Sequence, residues 1–323
     1  MIYPWHENEW RQLAAHWARL PHALLVSGRR NTGKNAFALH LAQALLCESP
    51  SGQHDPCGVC PSCHLFGQNS HPDFYRLSPD AAEGGAHRLQ QIKIDDVRAV
   101  IARIQLSAVR GGRRIVLISP AECMNPQSAN SLLKILEEPP ENAAFLLVSH
   151  ERDRLLPTIK SRCRQIILPA PDRETAWQYV SGRQNAGRDL LAFHGYAPLF
   201  PEQPEQDSSR EGLLRLLASP RLLALMDYAA DFDRQKWPLA DFLDWMQKWL
   251  ADIALAQQGM PPLYYPAHTA AAVETAAKTT PAALFALDGR IKALIPYGRH
   301  TLNVKLQLEY LLTEYLLFWQ NKK

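Results

Sequence analysis

The stretch LLVSGRRNTGKNAFA, Leu24 to Ala38, nearly completes a phosphate-binding loop. Gly28, Gly33 and Lys34 stand where G-x-x-x-x-G-K-[ST] needs them, but the last position is Asn35. Just upstream, HALLVS (His22 to Ser27) is the short apolar run of a buried parallel strand. Downstream, NAFALHLAQALL repeats apolar residues at helical spacing. Strand, glycine loop and helix together predict an α/β core of the P-loop type. In that setting backbone N–H groups and the helix N-terminus attract phosphate, and Lys34 reaches the β- and γ-phosphates. Asn35 lacks the hydroxyl that normally ligates Mg²⁺. The pattern is compatible with nucleotide binding, while efficient hydrolysis is not expected.

The chain has 323 residues, room for two or three domains. A net charge of +3 is too small to imply nucleic-acid binding. The first residues, MIYPWHENEW, show no charged n-region followed by an apolar run, and no stretch reaches the roughly 18 apolar residues of a membrane span. A cytoplasmic protein with reduced cysteines is expected. Four of the six cysteines, Cys47, Cys57, Cys60 and Cys63, follow the pattern C-x9-C-x2-C-x2-C. Four thiolates make a closed tetrahedral site, and soft sulfur ligands favour structural zinc. Gly58 and Pro61 suit the tight turns between them. His54, His64 and His71 are alternative fourth ligands. The module contains no Lys or Arg, which argues against a nucleic-acid grip.

Further on, IKIDDVRAVIARIQL places Val97, Val100, Ile101 and Ile104 on one helical face. RGGRRIVLIS then turns into a strand at Ile115 to Ile118, which ends at Ser119-Pro120. An ATPase of this class needs carboxylates at that point, for Mg²⁺ and for water. Glu122 comes three residues late and is not expected to replace them. Ser131 to Glu138 reads as a helix stopped by Pro139-Pro140, and AAFLLVS as the next buried strand.

The run NSLLKILEEPPENAAFLLVSHERDRLLPTIKSRC resembles the clamp-loader branch of the AAA+ family, in which LLK-x-LEEPP and SRC are signature segments. The resemblance covers roughly residues 1–170 and is strengthened by the four-cysteine insertion and by HPD at His71 to Asp73. It implies a P-loop α/β core with a zinc knuckle (residues 1–166, knuckle about 47–63), a small helical lid (167–205) and an all-helical C-terminal collar (206–323). It also implies a role: the hydrolysis-deficient member of a heteropentamer with gamma/tau-type motor subunits and a delta-type subunit. That assembly opens the sliding clamp and places it on primed DNA. Ser161-Arg162-Cys163 would set Arg162 at the subunit boundary as an arginine finger acting in trans on a neighbour's ATP. The alternative for Arg162 is a surface ion pair with Glu151 or Asp153. Ser149 takes the place of a γ-phosphate sensor and is expected only to end its strand.

In the lid, FHGYAPLF (Phe193 to Phe200) lacks the arginine that the family turns back to the nucleotide. PEQPEQDSSR, Pro201 to Arg210, is the best linker candidate. Beyond it, Phe242, Trp245 and Trp249, and then Leu308, Leu311, Leu312, Tyr315 and Leu316, form apolar stripes read as core, with part available between subunits. Lys93, Arg98, Arg103, Arg110, Arg113 and Arg114 are candidate contacts to DNA phosphates, or else a solvated face. Two rival readings are an active clamp-loader motor and a zinc-containing DNA-binding protein.

Overall fold

The computed structural model describes residues 1–79, 91–110, 112–182, 187–298 and 303–320. The chain divides at residue 175 into two compact units.

The first unit holds a five-stranded sheet, β1 (Ala23–Ser27), β2 (Phe74–Leu77), β3 (Arg114–Ile118), β4 (Ala143–Ser149) and β5 (Arg164–Ile167). All neighbours are parallel, in the order β2-β3-β4-β1-β5. The helices are α1 (Glu7–Ala15), α2 (Lys34–Leu46), α3 (Pro61–Gly67), α4 (Ile94–Ile104), α5 (Pro126–Glu137) and α6 (Pro157–Arg162). Residues of β1, β3 and β4 alternate between two cores. Leu25, Val116, Ile118, Phe145 and Leu147 join Val97, Leu132 and Ile159 on one side. Leu24, Val26, Ile115, Leu117 and Val148 join Trp10, Phe37 and Leu41 on the other. Burial on both faces explains why these strands read as unbroken apolar runs. Parallel strands also bring all the loops after their C-terminal ends to one edge, where such sheets form sites.

α5 starts five residues before the expected Ser131. Asn125 Oδ1 accepts from Ser128 N at 2.8 Å and Pro126 fills the first helical position, a standard start for a helix. Arg114, a candidate DNA contact by sequence, is instead buried. Its guanidinium donates to the carbonyls of Ile104, Leu106 and Glu141, closing the end of α4 and the turn before β4. Arg110 pairs with Glu48 at 2.7 Å. The basic cluster therefore loses Arg114 as a phosphate contact.

The second unit is helical among its described residues: α7 (Arg173–Val180, which begins in the first unit), α8 (Arg188–Phe193), α9 (Pro204–Ala218), α10 (Leu222–Arg234), α11 (Leu239–Gln257), α12 (Thr269–Lys278), α13 (Pro281–Leu294) and α14 (Val304–Gln320). A small core of Ala176, Val180, Leu191 and Phe200 lies beside a larger one that contains both apolar stripes in full. Trp249 Nε1 donates to the Tyr315 hydroxyl at 2.9 Å, which donates to Leu217 O at 3.0 Å, so the polar atoms of these two buried side chains are satisfied. The Asp252 carboxylate, fully buried, accepts from the backbone of Leu263, Tyr264 and Tyr265. The expected linker is not one. Residues 204–210 form the first turns of α9, with Pro204 opening the helix and Arg210 lying over the Phe193 ring. No described helix is long and apolar enough to cross a membrane.

Candidate functional site

The glycine loop joins β1 to α2 at the C-terminal edge of the sheet. Gly28 is needed there on packing grounds alone: a Cβ would meet the Leu168 carbonyl oxygen at 2.6 Å. Gly33 caps α2 with φ at 98°, a conformation that favours glycine. The loop is turned in on itself. Thr32 Oγ1 donates to Arg29 O at 2.8 Å, and Lys34 Nζ donates to the same carbonyl. Trp5 Nε1 fixes the loop from outside through Thr32 O at 2.8 Å. Lys34 is 1% exposed. Burial pulls its ammonium down to about 8, partly opposed by the nearby Glu122 carboxylate.

Glu122 lies on the short turn after β3 and accepts from His150 N at 3.0 Å through Oε1. Burial first, then the charge of Lys34, hold His150 down to about 4, so its ring is neutral at pH 7. Glu122 thus supports a buried lysine and, through Oε1, the end of β4, while its buried Oε2 has no hydrogen-bond partner among the described residues. Asn35 Oδ1 is buried and has no hydrogen-bond partner among the described residues. Ser149, fully buried, accepts from Glu151 N at 3.2 Å and closes the end of β4. β3 leads directly into Ser119-Pro120, so the strand end carries no carboxylate.

The four cysteines meet at the end of α2 and the start of α3. Cys47 follows α2, Cys60 caps α3 and Cys63 sits in its first turn. Their sulfurs all lie within 4.8 Å of one another, and Cys47 and Cys60 are 3.9 Å apart. A tetrahedral ion with Zn–S bonds of ~2.3 Å sets its sulfurs ~3.8 Å apart, so the donor set fits. Backbone N–H groups of Cys57, Cys60 and Cys63 point at the sulfurs of Cys47, Cys57 and Cys60 at 3.3–3.4 Å. Such donors stabilise thiolates. The alternative histidine ligands are engaged elsewhere or face outward. His71 Nε2 meets Ser62 Oγ at 2.6 Å and its Nδ1 accepts from Asp73 N at 3.1 Å. Ser62 in turn donates to Leu46 O, and the Asp73 carboxylate accepts from Val109 N and Arg110 N. HPD therefore ties the cysteine module to β2. His54 stacks on Trp17, and His64 is exposed.

Arg162 ends α6. Its Nε and Nη2 both donate to Glu137 Oε1, the former at 2.6 Å, and Nη1 donates to Thr158 O at 2.9 Å. The partner foreseen from sequence was Glu151 or Asp153. Glu151 is instead held by Arg30 at 2.6 Å and Arg154 at 3.0 Å. Glu137 comes from the LEEPP segment, at the last turn of α5, so the two signature segments meet in this ion pair.

The family model described as DNA polymerase III, delta subunit, matches residues 6–172. A DNA polymerase III subunit delta' of Pseudomonas aeruginosa is 36% identical over 260 residues, covering 78% of this chain and 77% of that protein. The subunit delta' of Yersinia pestis is 33% identical, covering 98% and 95%. The chain belongs to the DNA polymerase III delta' family. A subunit tau of Escherichia coli is 38% identical over 156 residues, but that match covers only 48% of this chain and 23% of tau. The delta' likeness runs through the helical unit; the tau likeness covers about half of the chain.

The roles of two residues of this delta'-family site are not legible in the sequence. Glu137 lies within the LEEPP segment, but nothing in sequence says that its carboxylate faces α6. Glu122 stands three residues past the position expected for a carboxylate, a spacing that does not reveal its place beside Lys34. Its proximity to Lys34 depends on the turn after β3. Lys34 carries a testable cost. Between about pH 8 and its ordinary value of 10.5, the folded chain binds fewer protons than the unfolded one. The contribution of Lys34 to stability therefore rises with pH across that window. Lys34→Met should flatten this rise, and should melt at an equal or higher temperature than wild type at pH 7; paired thermal melts from pH 7 to 10 check both.

Proposed function

We propose that this chain is the non-hydrolysing delta' subunit of a clamp loader, and that it acts on ATP held by a neighbouring subunit. The observation that carries the reading is the glycine loop closed on itself. Lys34 is spent on Arg29 O and shielded from solvent, and β3 ends without carboxylates. A loop in this state offers no lysine to a γ-phosphate, and the end of β3 offers no carboxylate to hold Mg²⁺ or orient water. The motor reading would require Lys34 to leave its carbonyl and a missing carboxylate pair to be replaced.

Arg162 is the group we assign to the reaction, as a finger on the ATP of a motor subunit of the gamma/tau type. A guanidinium suits that role: it is always charged and presents paired N–H donors to phosphate oxygens. Cys47, Cys57, Cys60 and Cys63 would hold a zinc ion, which supplies structure only, since four protein ligands close its coordination. Gly28, Gly33 and Lys34 keep the shape of a phosphate loop without its use. The three-part organisation with a lid near 167–205 and a collar beyond it is supported by the separate small core around Ala176, Val180, Leu191 and Phe200. On α14, Leu306, Tyr310 and Leu317 are about half exposed at i, i+4 and i+11, an apolar face suited to a collar neighbour. Contact with primed DNA and with the sliding clamp would follow from the assembly.

The test is assembly. Mixed with purified gamma/tau-type and delta-type subunits, the chain should enter one complex on gel filtration. That complex should show clamp- and DNA-stimulated ATP turnover that the mixture without this chain lacks. A chain that elutes alone, or a mixture equally active without it, would reject the proposal.

A further inference from the structure

The ion pair between the two signature segments has a geometry that a simple surface contact does not require. A guanidinium carries five N–H donors in a fixed plane. Here Nε and one hydrogen of Nη2 go to Glu137 Oε1, and one hydrogen of Nη1 goes to Thr158 O. Nη1 also donates to Ser161 Oγ, at a long 3.4 Å. Of the five hydrogens these four bonds leave one on Nη2, at the terminal edge of the fork, where its neighbour on Nη1 is held only by the long contact to Ser161. That edge is the one that meets two phosphate oxygens side by side. We infer that Glu137 is a positioning residue for Arg162, holding the guanidinium by its side edge so that the terminal edge is kept for phosphate oxygens.

The supporting frame fits this role. Arg162 is the last residue of a six-residue helix, and its long side chain would otherwise sample many rotamers. Glu137 stands on a better-fixed element. α5 buries Leu132, Ile135 and Leu136 in the core and is halted by Pro139-Pro140. The Arg162 side chain is 30% exposed and that of Glu137 50%, so the pair contributes little to folding. What it fixes is direction. The inference rests on the reading of Arg162 as a trans finger.

The experiment compares kcat and KM for ATP in the reconstituted loader, with wild-type chain, Glu137→Ala, Glu137→Gln, Arg162→Ala and the Glu137→Ala/Arg162→Ala double variant. Misplacing a catalytic group by about 1 Å can cost about 100-fold. Glu137→Ala should lower kcat about 10-fold with KM within about twofold, because the interaction is realised in the transition state. Gln keeps an acceptor oxygen at the same place and should restore most of kcat. In the Arg162→Ala background, Glu137→Ala should change nothing further. If Arg162→Ala is impaired while Glu137→Ala turns over as fast as wild type or faster, Glu137 does not position the finger. Gln as slow as Ala places the effect in charge and overturns positioning by the acceptor. If Arg162→Ala itself has no effect, the finger reading fails and the inference fails with it. Thermal melts of the single chains guard against misfolding.

Discussion

Replacing Arg162 with alanine should leave the reconstituted complex assembled and stop most of its ATP turnover. Related systems lose about 10³- to 10⁵-fold in rate when the finger is removed, and the site that Arg162 serves should fall within that range. Steady-state turnover of the whole complex should drop at least about tenfold, because a cycle that needs that site cannot complete without it. The cause is electrostatic. As the γ-phosphoryl group transfers, charge spreads over its oxygens, and a preplaced guanidinium stabilises that charge without reorganisation. Lysine at 162 should recover only part of the loss, since an ammonium is a point charge and cannot present two parallel donors. The fold should be indifferent: a partly exposed ion pair such as Arg162–Glu137 contributes about 0–1 kcal/mol. A rapid-quench measurement with gel filtration of the same samples separates lost chemistry from lost assembly. Full turnover in an assembled Arg162→Ala complex would remove the finger.

Metal removal should have the second-largest effect, and on stability instead of turnover. Purified wild-type chain should contain about one zinc per molecule, and Cys60→Ser should contain almost none. Cys60 is buried, caps α3 and lies beside Cys47. Without an ion, the closely placed sulfurs lose what holds them together. The loss should spread, because Ser62 and His71 couple α3 to the end of α2 and to β2 at the sheet edge. Structural zinc in isolated fingers contributes ~10–16 kcal/mol of apparent binding energy. In a chain with three large apolar cores only part of that reaches global stability. We expect a loss of about 3 kcal/mol, or about 5–10 °C in melting temperature. Wild type treated with a strong chelator should melt like the variant, and added zinc should restore only wild type. Unchanged melting together with absent zinc would mean that the cysteines pack without metal.

Much of this architecture is written locally in the chain. β1, β3 and β4 announce themselves because a strand covered on both faces must be apolar throughout. The glycine loop is legible because Gly28 and Gly33 answer backbone demands that few other residues meet. The cysteine cluster is legible because its spacing is set by the ion it would hold. Edge strands are harder. β2 (FYRL) and β5 (RQII) are four residues long, β2 largely half-buried and β5 mostly exposed, so they carry no long apolar run. Pro204 misled because proline stops a helix from inside but opens one at its first position. Arg114 misled for a different reason. Arginine in a basic run looks like a phosphate contact, and only the tertiary fold sets three orphan carbonyls around it. The Glu137–Arg162 pair is likewise non-local. The sequence places the two residues 25 positions apart on separate helices, and packing of α5 beside α6 brings them together.

The most direct measurement is ATP hydrolysis by the purified chain alone, with Mg²⁺ and ATP well above micromolar levels, followed to high enzyme concentration. A chain whose Lys34 is committed to its own loop and whose β3 ends without carboxylates should show no turnover above that of Lys34→Ala. Turnover by wild type that Lys34→Ala abolishes would contradict the central claim and make this chain a motor in its own right.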